Sequence, residues 1–484
     1  MKRTISLAAG LLLIALAGCT KPSPEQAVVD DAAAALGGKS RLQALKTLTL
    51  EGDGTNFNIG QDMVPDASSQ TFTVTAYRRS MDLAAARMRI EQTRTPNFAY
   101  FQGTAPQKQV LGLDGEAGYN VAATGAVTPV AAAAAQDRRR EFYHHPVTFV
   151  RAALDPAAKL SNAQNVGNER RVDVTTANGI SGTLTLDGSG LPTSVATKMY
   201  NANLGDVLIT TTFADYQDVN GLKLPTKLTT KTDDFTTAEL HPTKHGVDAD
   251  PGDLTMPASS TPAPPAAQAV DVSVEPLGQG LWFLAGQSHH SFLVEFSDHL
   301  LLIEAPQSEA RTLGVIAKAR ELKPDKPLTQ LVTTHHHFDH TAGLRAAISE
   351  GLTVITHAGN KAFIEEMARR PHTLQPDALA KNPKPVTVQT VEEELELKDA
   401  TRTVVLYHVA GSPHSDTMLM AYIPKERLLV EVDVFSPGAQ AQPYAANLLQ
   451  NVTRRKLQID RIVPLHGAIA PMSELMKVAT SSSN

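Results

Sequence analysis

The sequence has almost no cysteine, no long apolar segments and no excess of one charge. Its single cysteine, Cys19, excludes an intrachain disulfide framework and any zinc site built from paired thiolates. The apolar run from Ile5 to Leu16 is shorter than the roughly 20 residues that a membrane-spanning helix needs, and no other run is long enough. Lys and Arg number 44 against 50 Asp and Glu, a net charge of -6. So weak an acidic balance disfavours binding to nucleic acid.

Residues 1–18 predict an export signal. Two basic residues precede the apolar run, as in a secretory signal peptide. The junction Leu16-Ala17-Gly18-Cys19 resembles a bacterial lipobox, which implies cleavage before Cys19 and lipidation of its sulfur. Acyl chains contribute about 0.8 kcal/mol per buried CH₂, so they would hold the protein on a membrane. We therefore expect a cell-envelope lipoprotein, and Thr20 in place of aspartate favours the outer membrane, facing the periplasm. The alternative is an ordinary signal peptide with an incidental cysteine.

The residues after the signal predict a β-rich domain. Residues 19–46 form a tether and an alanine-rich helix that ends at Gly37-Gly38. Residues 47–254 alternate apolar and polar side chains, and Asn-Gly and Asp-Gly pairs between the runs favour tight hairpins. Within this block only residues 131–154 have a helical pattern. We expect a large curved antiparallel sheet with one apolar face lined by helix. The run 218–225 resembles the closing strands of periplasmic lipoprotein-carrier half-barrels.

A linker separates this domain from a second one of a different kind. Residues 255–270 are rich in Pro, Ala, Ser and Thr and carry no charge, which is typical of a semi-extended linker. In residues 271–484, strands such as 300–303 and 428–431 alternate with helical segments such as 308–321. Such mixed patterns bury a sheet under helices. The sequence therefore predicts a two-domain α/β (α+β) protein.

Histidines are concentrated in the second domain. Of 16 in the chain, 12 lie beyond residue 288, and His335 to His340 contain the pattern H-x-H-x-D-H between a predicted strand and a helix. His414, Asp433 and His466 each follow a later strand. Imidazole and carboxylate groups suit zinc and similar divalent metals, which take three or four such ligands. Five histidines and two aspartates are enough for two metals and one bridging carboxylate.

The order and spacing of these residues resemble the metallo-β-lactamase superfamily over residues 272–480. The resemblance implies an αββα sandwich with two zinc ions in a cleft at one sheet edge. It further implies that Asp433 bridges both ions, as in the glyoxalase II and general hydrolase branches, whereas the zinc β-lactamases lack this bridge. The ligand sets that it implies are His335, His337 and His414 for the first metal and Asp339, His340 and His466 for the second.

The chain departs from the family pattern at two places. His414 follows Gly411-Ser412-Pro413 instead of sitting in a Gly-His-Thr turn, and His408 is its rival candidate. The early strand ends in Glu304 where the family usually shows the aspartate of Asp-Thr-Gly. His289 and His290 lie in a loop that runs beside the cleft in this fold. We expect these two, and His408, as possible contacts to a small-molecule substrate.

Three functions stay open on these residues. The first is a membrane-anchored di-zinc hydrolase that cleaves an ester, thioester, lactone or lactam, with Asp339 orienting the attacking hydroxide and carrying its proton; the bridging Asp433 makes β-lactams the less favoured substrates. The second keeps the same site but loads iron, because some family members use one iron for sulfur dioxygenation. The third makes the N-terminal half-barrel the functional part, as a binder of lipid or another hydrophobic ligand.

Overall fold

The computed structural model describes residues 22–100, 103–258, 270–439 and 441–481. The signal segment, Cys19 and most of the predicted linker lie outside these ranges. Within them the chain forms three β-sheets, one in the N-terminal part and two in the C-terminal part. None of the helices in the described ranges is both long and apolar enough to cross a membrane.

The N-terminal domain is built on one antiparallel sheet of 13 strands. Its strands are β1 (Thr47–Phe57), β2 (Thr71–Asp82), β3 (Arg87–Pro96), β4 (Gln107–Asp114), β5 (Ala117–Val121), β6 (Val127–Pro129), β7 (Lys159–Val166), β8 (Glu169–Thr175), β9 (Ser181–Leu186), β10 (Pro192–Asn201), β11 (Gly205–Val219), β12 (Leu222–Thr232) and β13 (Phe235–Val247). Strands β1 to β6 and β7 to β13 each form a meander of neighbouring hairpins. The first and last strands, β1 and β13, pair with each other and join the two meanders into one sheet.

Local sequence explains these strands and turns. Along β3, Met88, Ile90 and Gln92 are buried while their neighbours are partly exposed, which is the period-two pattern of a half-buried strand. Asn220 and Gly221 both have positive φ, 53° and 79°, and join β11 to β12. Two consecutive positive φ values are what a tight type I′ hairpin requires.

Four helices cover one face of this sheet: α1 (Pro24–Leu36), α2 (Lys39–Ala44), α3 (Ala132–Tyr143) and α4 (Pro146–Ala153). Apolar side chains from α1 and α4, such as Leu36 and Phe149, share one core with strand residues such as Leu184. The helical segment expected at 131–154 is two helices, because Pro146 disfavours a helical backbone at His145 before it. His145 is extended, with φ -149° and ψ 138°.

The C-terminal domain contains two sheets packed face to face. The first holds β14 (Ser273–Gly278), β15 (Leu281–Ala285), β16 (Ser291–Glu295), β17 (Leu300–Ile303), β18 (Leu328–Val332), β19 (Thr353–His357) and β20 (Val388–Val391) in that order. The second holds β21 (Glu394–Lys398), β22 (Thr403–His408), β23 (Leu419–Ile423), β24 (Leu428–Glu431), β25 (Arg461–Pro464) and β26 (Ala470–Pro471) in that order. Buried residues of both sheets, including Ile303 and Val430, form one core between them.

Helices cover the outer face of each sheet. The α-helices of this domain are α5 (Glu309–Leu322), α6 (Phe338–Thr341), α7 (Leu344–Ser349), α8 (Lys361–Arg369), α9 (Ala378–Lys381), α10 (Ala445–Arg454) and α11 (Met472–Ser481), of which the short α6 lies in the loop after β18. Residues of α5, α7 and α8 share a core with the first sheet, and those of α10 and α11 share another with the second. This arrangement of helix, sheet, sheet and helix confirms the predicted αββα sandwich.

Candidate metal centre

The H-x-H-x-D-H motif leaves the end of β18 and turns into the short helix α6. His335, His337 and His340 are at most 1% exposed, whereas the side chain of Asp339 is partly open. The segment is extended up to His337, which has φ -57° and ψ 145° and starts the helix. Because an extended stretch and a helical turn meet here, side chains two and three residues apart converge on one place.

Three later loops bring the remaining predicted residues to the same place. His414 lies in the loop between β22 and β23, Asp433 follows β24, and His466 follows β25. Strands β24 and β25 run parallel, so their carboxyl ends meet at one edge of the second sheet. Asp433 has a φ of 61°, a conformation that non-glycine residues adopt at an energetic cost, typically at functional sites.

These side chains form three overlapping groups whose ligand atoms lie within 4.8 Å of one another. Asp433 belongs to two groups, and its Oδ2 lies 2.9 Å from His340 Nε2, 3.3 Å from His414 Nε2 and 3.6 Å from His335 Nε2. Asp339 also belongs to two groups. The groups are His335, His337, His414 and Asp433; Asp339, His340 and Asp433; and His289, Asp339 and His466.

Hydrogen bonds decide which nitrogen of each imidazole faces the centre. His337 Nε2 donates to the carbonyl oxygen of Asp62 at 2.9 Å, and His340 Nδ1 donates to Glu304 Oε2 at 2.9 Å. His335 Nδ1 pairs with the hydroxyl of Thr334 at 3.0 Å. The opposite nitrogens point inward, and His335 Nε2 and His337 Nδ1 are buried without any hydrogen bond. Buried lone pairs that lack a donor, held by partners on the far side of the ring, fit a metal ion.

Burial and charge set the protonation of the cluster. Burial lowers the pKa of His335 and His337 well below 6.5, so both rings are neutral, the form that binds metals. Burial alone would lower the pKa of His340 and raise that of Asp433. Their mutual attraction outweighs burial in both cases, so the pKa of His340 is raised and that of Asp433 is lowered. Neutral rings of His335 and His337 and a protonated His340 therefore surround the Asp433 carboxylate when no metal is bound.

Glu304 takes the place of the aspartate that the family pattern usually shows. Its side chain is buried, with Oε2 bound to His340 and Oε1 accepting the backbone N–H of Thr334 at 2.7 Å. Its backbone has a φ of 73°, which turns the carboxylate under the motif loop. One carboxylate thus holds the start of the loop and orients one of its histidines.

The three possible substrate contacts have different surroundings. His289 lies inside the cluster, with Nε2 at 3.2 Å from Asp339 Oδ2 and its ring 4.0 Å from that of His466. His290 stays outside the groups and packs on Phe283, and burial lowers its pKa to about 4. His408 also stays outside, because its Nε2 donates to the carbonyl of Asp416 at 2.8 Å. The geometry thus brings His414, and not His408, to the cluster.

Two further residues at the centre come from the other domain. Gln61 Nε2 donates to Asp339 Oδ1 at 2.7 Å, and the backbone carbonyl of Asp62 holds His337. Sequence reasoning missed both, since neither lies in a motif and the contacts span more than half of the chain. Only the relative position of the two domains reveals them.

The sandwich and its histidine–aspartate cluster define the C-terminal domain as a metallo-β-lactamase-type domain. Residues 285–464 match the family model described as "Metallo-beta-lactamase superfamily". Members of this superfamily are mostly metal-dependent hydrolases. A search of curated proteins found no match to the chain.

Several solved metallo-β-lactamases are similar to the chain, each over less than half of its length. One from Pontibacter korlensis is 18% identical, with 44% of this chain and 100% of that chain covered and a TM-score of 0.34. FIM-1 from Pseudomonas aeruginosa, in its mono-zinc form, is 15% identical, with 44% and 96% covered and a TM-score of 0.36. One from Hirschia baltica is 17% identical, with 43% and 96% covered and a TM-score of 0.33.

Proposed function

We propose that the protein is a zinc-dependent hydrolase with a two-metal centre. The observation that carries this proposal is the sharing of Asp433 between two groups of ligand atoms. In the proposed assignment Asp433 would contribute a ligand to both metal sites. His335, His337 and His414 complete the first set, and Asp339, His340 and His466 complete the second.

The reaction class follows from the chemistry of such a centre. Two bound zinc ions lower the pKa of a shared water towards 7 and polarise the oxygen of the bond to be cleaved. Asp339 is the group placed to orient that water, because Gln61 Nε2 and His289 Nε2 hold its two carboxylate oxygens. Burial alone would raise the pKa of Asp339, but the charge of His340 and these hydrogen bonds outweigh it and lower that pKa. Asp339 is therefore ionised at neutral pH. Its proposed role is to orient the water and to carry the water's proton to the leaving group.

The proposed substrates are small molecules with an ester, thioester, lactone or lactam bond. The test is a screen of the zinc-loaded full chain against these classes, followed by Asp339→Ala on any substrate that is cleaved. We expect kcat/KM to fall by about 10²–10⁴-fold, the usual contribution of a positioned acid or base. Asp298→Ala, at an exposed loop position, is the matched control. Full activity in Asp339→Ala would refute the proposed mechanism.

The identity of the metal separates this proposal from the iron alternative. Protein purified without added metal should contain close to two equivalents of zinc. Iron near one equivalent would favour sulfur dioxygenation at the same site and contradict the hydrolase.

The place of action is part of the proposal. Lipidation of Cys19 would anchor the protein in the outer membrane, with both domains in the periplasm. In this account Cys19→Ser releases the protein from the membrane fraction, whereas a Cys19→Ser protein that stays with the membrane contradicts lipid anchoring.

A cavity in the N-terminal domain favours binding of a hydrophobic ligand as a second candidate function. It has a volume of about 370 Å³, within the usual range for small-molecule sites, and a mostly apolar lining that includes Ile90, Leu228 and Leu240. Arg79 also lines it and keeps one buried N–H group without a partner. Native mass spectrometry of the full chain should show a co-purified apolar molecule that Ala238→Phe, at the cavity wall, displaces. An empty wild-type protein would count against this function.

A further inference from the structure

One loop of the N-terminal sheet reaches into the metal centre of the other domain. Residues 58–70, here called the clasp loop, connect β1 to β2. The carbonyl of Gly60 accepts the backbone N–H of Phe338 at 2.9 Å, between two of the proposed ligands. Asp62 and Gln61 contact the ligands themselves, through His337 Nε2 and Asp339 Oδ1. The clasp loop therefore contacts three consecutive residues of the motif, His337, Phe338 and Asp339.

The same loop also contacts the loop that carries His414. The carbonyl of Met63 accepts the backbone N–H of Asp416 at 2.8 Å and lies 3.4 Å from the hydroxyl of Ser415. Two ligand-bearing loops of the C-terminal domain are thus held by consecutive residues of the N-terminal domain.

The clasp loop is built to keep its shape. The buried carboxylate of Asp62 accepts three hydrogen bonds at 2.7 Å, from the backbone of Met63, the hydroxyl of Ser69 and the backbone of Gln70. Gly60 has a φ of 71°, and a Cβ there would lie 2.3 Å from the ring of Phe338. A side chain at position 60 is therefore excluded by both the backbone conformation and the close approach.

We propose that the clasp loop is a functional part of the metal centre, with Gln61 and Asp62 as positioning residues. This inference rests on the proposed function, because it takes His337 and Asp339 as metal ligands. A carbonyl oxygen only accepts hydrogen bonds, so Asp62 keeps the proton on His337 Nε2 and leaves the lone pair of Nδ1 facing inward. Gln61 restricts the orientation of Asp339 by donating a hydrogen bond to one of its carboxylate oxygens. Metal affinity therefore depends on the docked N-terminal domain.

A simpler account is that the loop only helps to dock the two domains. The structure offers a control for that account at another contact between them. Asp206 of the N-terminal sheet accepts the backbone N–H groups of Thr373 and Leu374 and the hydroxyl of Thr373, but it touches none of the proposed ligands. Asp206→Ala removes as many hydrogen bonds as Asp62→Ala does, and it removes them directly between the domains.

The experiment compares zinc affinity and the visible spectrum of the Co²⁺-substituted protein for the wild type, Gln61→Ala, Asp62→Ala and Asp206→Ala, all as full chains. Partners of this kind usually change metal affinity 10–100-fold. Asp62→Ala keeps the backbone carbonyl but removes the three hydrogen bonds that hold it in place, so we expect zinc binding to weaken by about that factor. Asp62→Asn keeps an acceptor oxygen for the loop and should restore most of the affinity. Gln61→Ala should alter the Co²⁺ spectrum, and Asp206→Ala should change neither quantity.

Three results would overturn the inference or its basis. Wild-type affinity and spectrum in Gln61→Ala and Asp62→Ala would refute it, as would an equal loss of affinity in Asp206→Ala. If Asp62→Ala does not fold, Gln61→Ala decides alone, because that change removes a single side-chain contact. A wild-type protein that binds no metal would instead refute the proposed function, so the two failures are distinguishable.

Discussion

Both domains bury histidines, and the two sets differ in what surrounds the rings. In the N-terminal domain, His144 is held by two hydroxyls, with Nδ1 at 2.9 Å from Thr211 Oγ1 and Nε2 at 2.8 Å from Thr197 Oγ1. In the C-terminal domain, a carbonyl holds one nitrogen of His337 and the Glu304 carboxylate holds one nitrogen of His340, while the other nitrogen of each ring faces the cluster. Burial lowers the pKa of both His144 and His337, so neither burial nor pKa separates the two environments.

The difference lies in the chemistry of the partners. A hydroxyl both donates and accepts, so two hydroxyls satisfy His144 in either tautomer and leave no lone pair free. The carbonyl of Asp62 and the carboxylate of Glu304 only accept, so each keeps a proton on the nitrogen that it faces and leaves the other nitrogen directed at the cluster. A buried histidine is thus a structural residue when both nitrogens are occupied. It is a candidate ligand when an acceptor occupies one nitrogen and the other faces further ligands.

The largest effect is expected at the shared carboxylate. Asp433→Ala removes a ligand from both proposed metals, so zinc affinity should fall by more than the roughly 10–100-fold that loss of an outer-shell partner costs. Elemental analysis after dialysis should show less than one equivalent of metal. Asp460→Ala, where the side chain is exposed and pairs only with Arg427, is the matched control. If Asp433→Ala retained two equivalents of zinc, the carboxylate of Asp433 would not be a ligand shared by the two metals.

A smaller loss of metal affinity is expected when the hydrogen-bond acceptor beside His340 is replaced by a donor. Glu304→Gln can still accept the N–H of Thr334, but its amide then faces the Nδ1–H of His340. In the metal-loaded protein the ring would relieve this clash of donors by moving its proton to Nε2, which would remove the lone pair that the second metal needs. We expect a 10–100-fold loss of affinity confined to the second metal, measured by stepwise zinc titration. Unchanged binding of both metals would show that Glu304 does not set the tautomer.

The smallest effect concerns His144 and acid stability. Burial lowers the pKa of His144 to about 3 from an ordinary 6.5, so the unfolded chain binds the proton more tightly between these values. Stability is therefore complete above pH 6.5 and declines as the pH falls, by about 1.4 kcal/mol per pH unit from this group. Urea unfolding from pH 7 to pH 4.5 should show a shallower decline in His144→Gln.

The same variant sharpens the comparison between the domains. Zinc affinity of His144→Gln should equal that of the wild type, because neither nitrogen of His144 faces another ligand. Equal acid sensitivity in the two proteins would mean that His144 is not the titrating group. A loss of zinc affinity would mean that a buried histidine affects the metal centre whatever its hydrogen-bond partners are.

Much of the fold could be predicted from local patterns. Alternation predicted the strands of the N-terminal sheet, and the mixed pattern after the linker predicted a sheet covered by helices. The αββα sandwich itself was implied by the resemblance to the metallo-β-lactamase superfamily. The order of the 13 strands could not be predicted, because it depends on the pairing of β1 with β13 at opposite ends of the domain. The break between α3 and α4 depends on one residue, Pro146. The helical periodicity of the whole segment does not register the effect of a single residue.

The residues of the site likewise fall into those that the sequence predicted and those that only the structure showed. Four of its residues share one motif, and the order of strand ends indicated His414, Asp433 and His466, all of which the structure brings to the cluster. The position of His289 beside Asp339 and the part played by Glu304 needed coordinates, because loop paths and a positive φ leave no periodic signal. Gln61 and Asp62 lie in a loop with no motif, and only domain docking brings them to the ligands.

The central claim is that two metals share Asp433, and anomalous diffraction at the zinc edge tests it most directly. Crystals of the zinc-loaded full chain should show two peaks about 3.5–4 Å apart, the usual spacing of two-metal sites. The carboxylate of Asp433 should lie between them, at about 2.0–2.2 Å from each. A single peak, or two peaks of which only one contacts Asp433, would contradict the account.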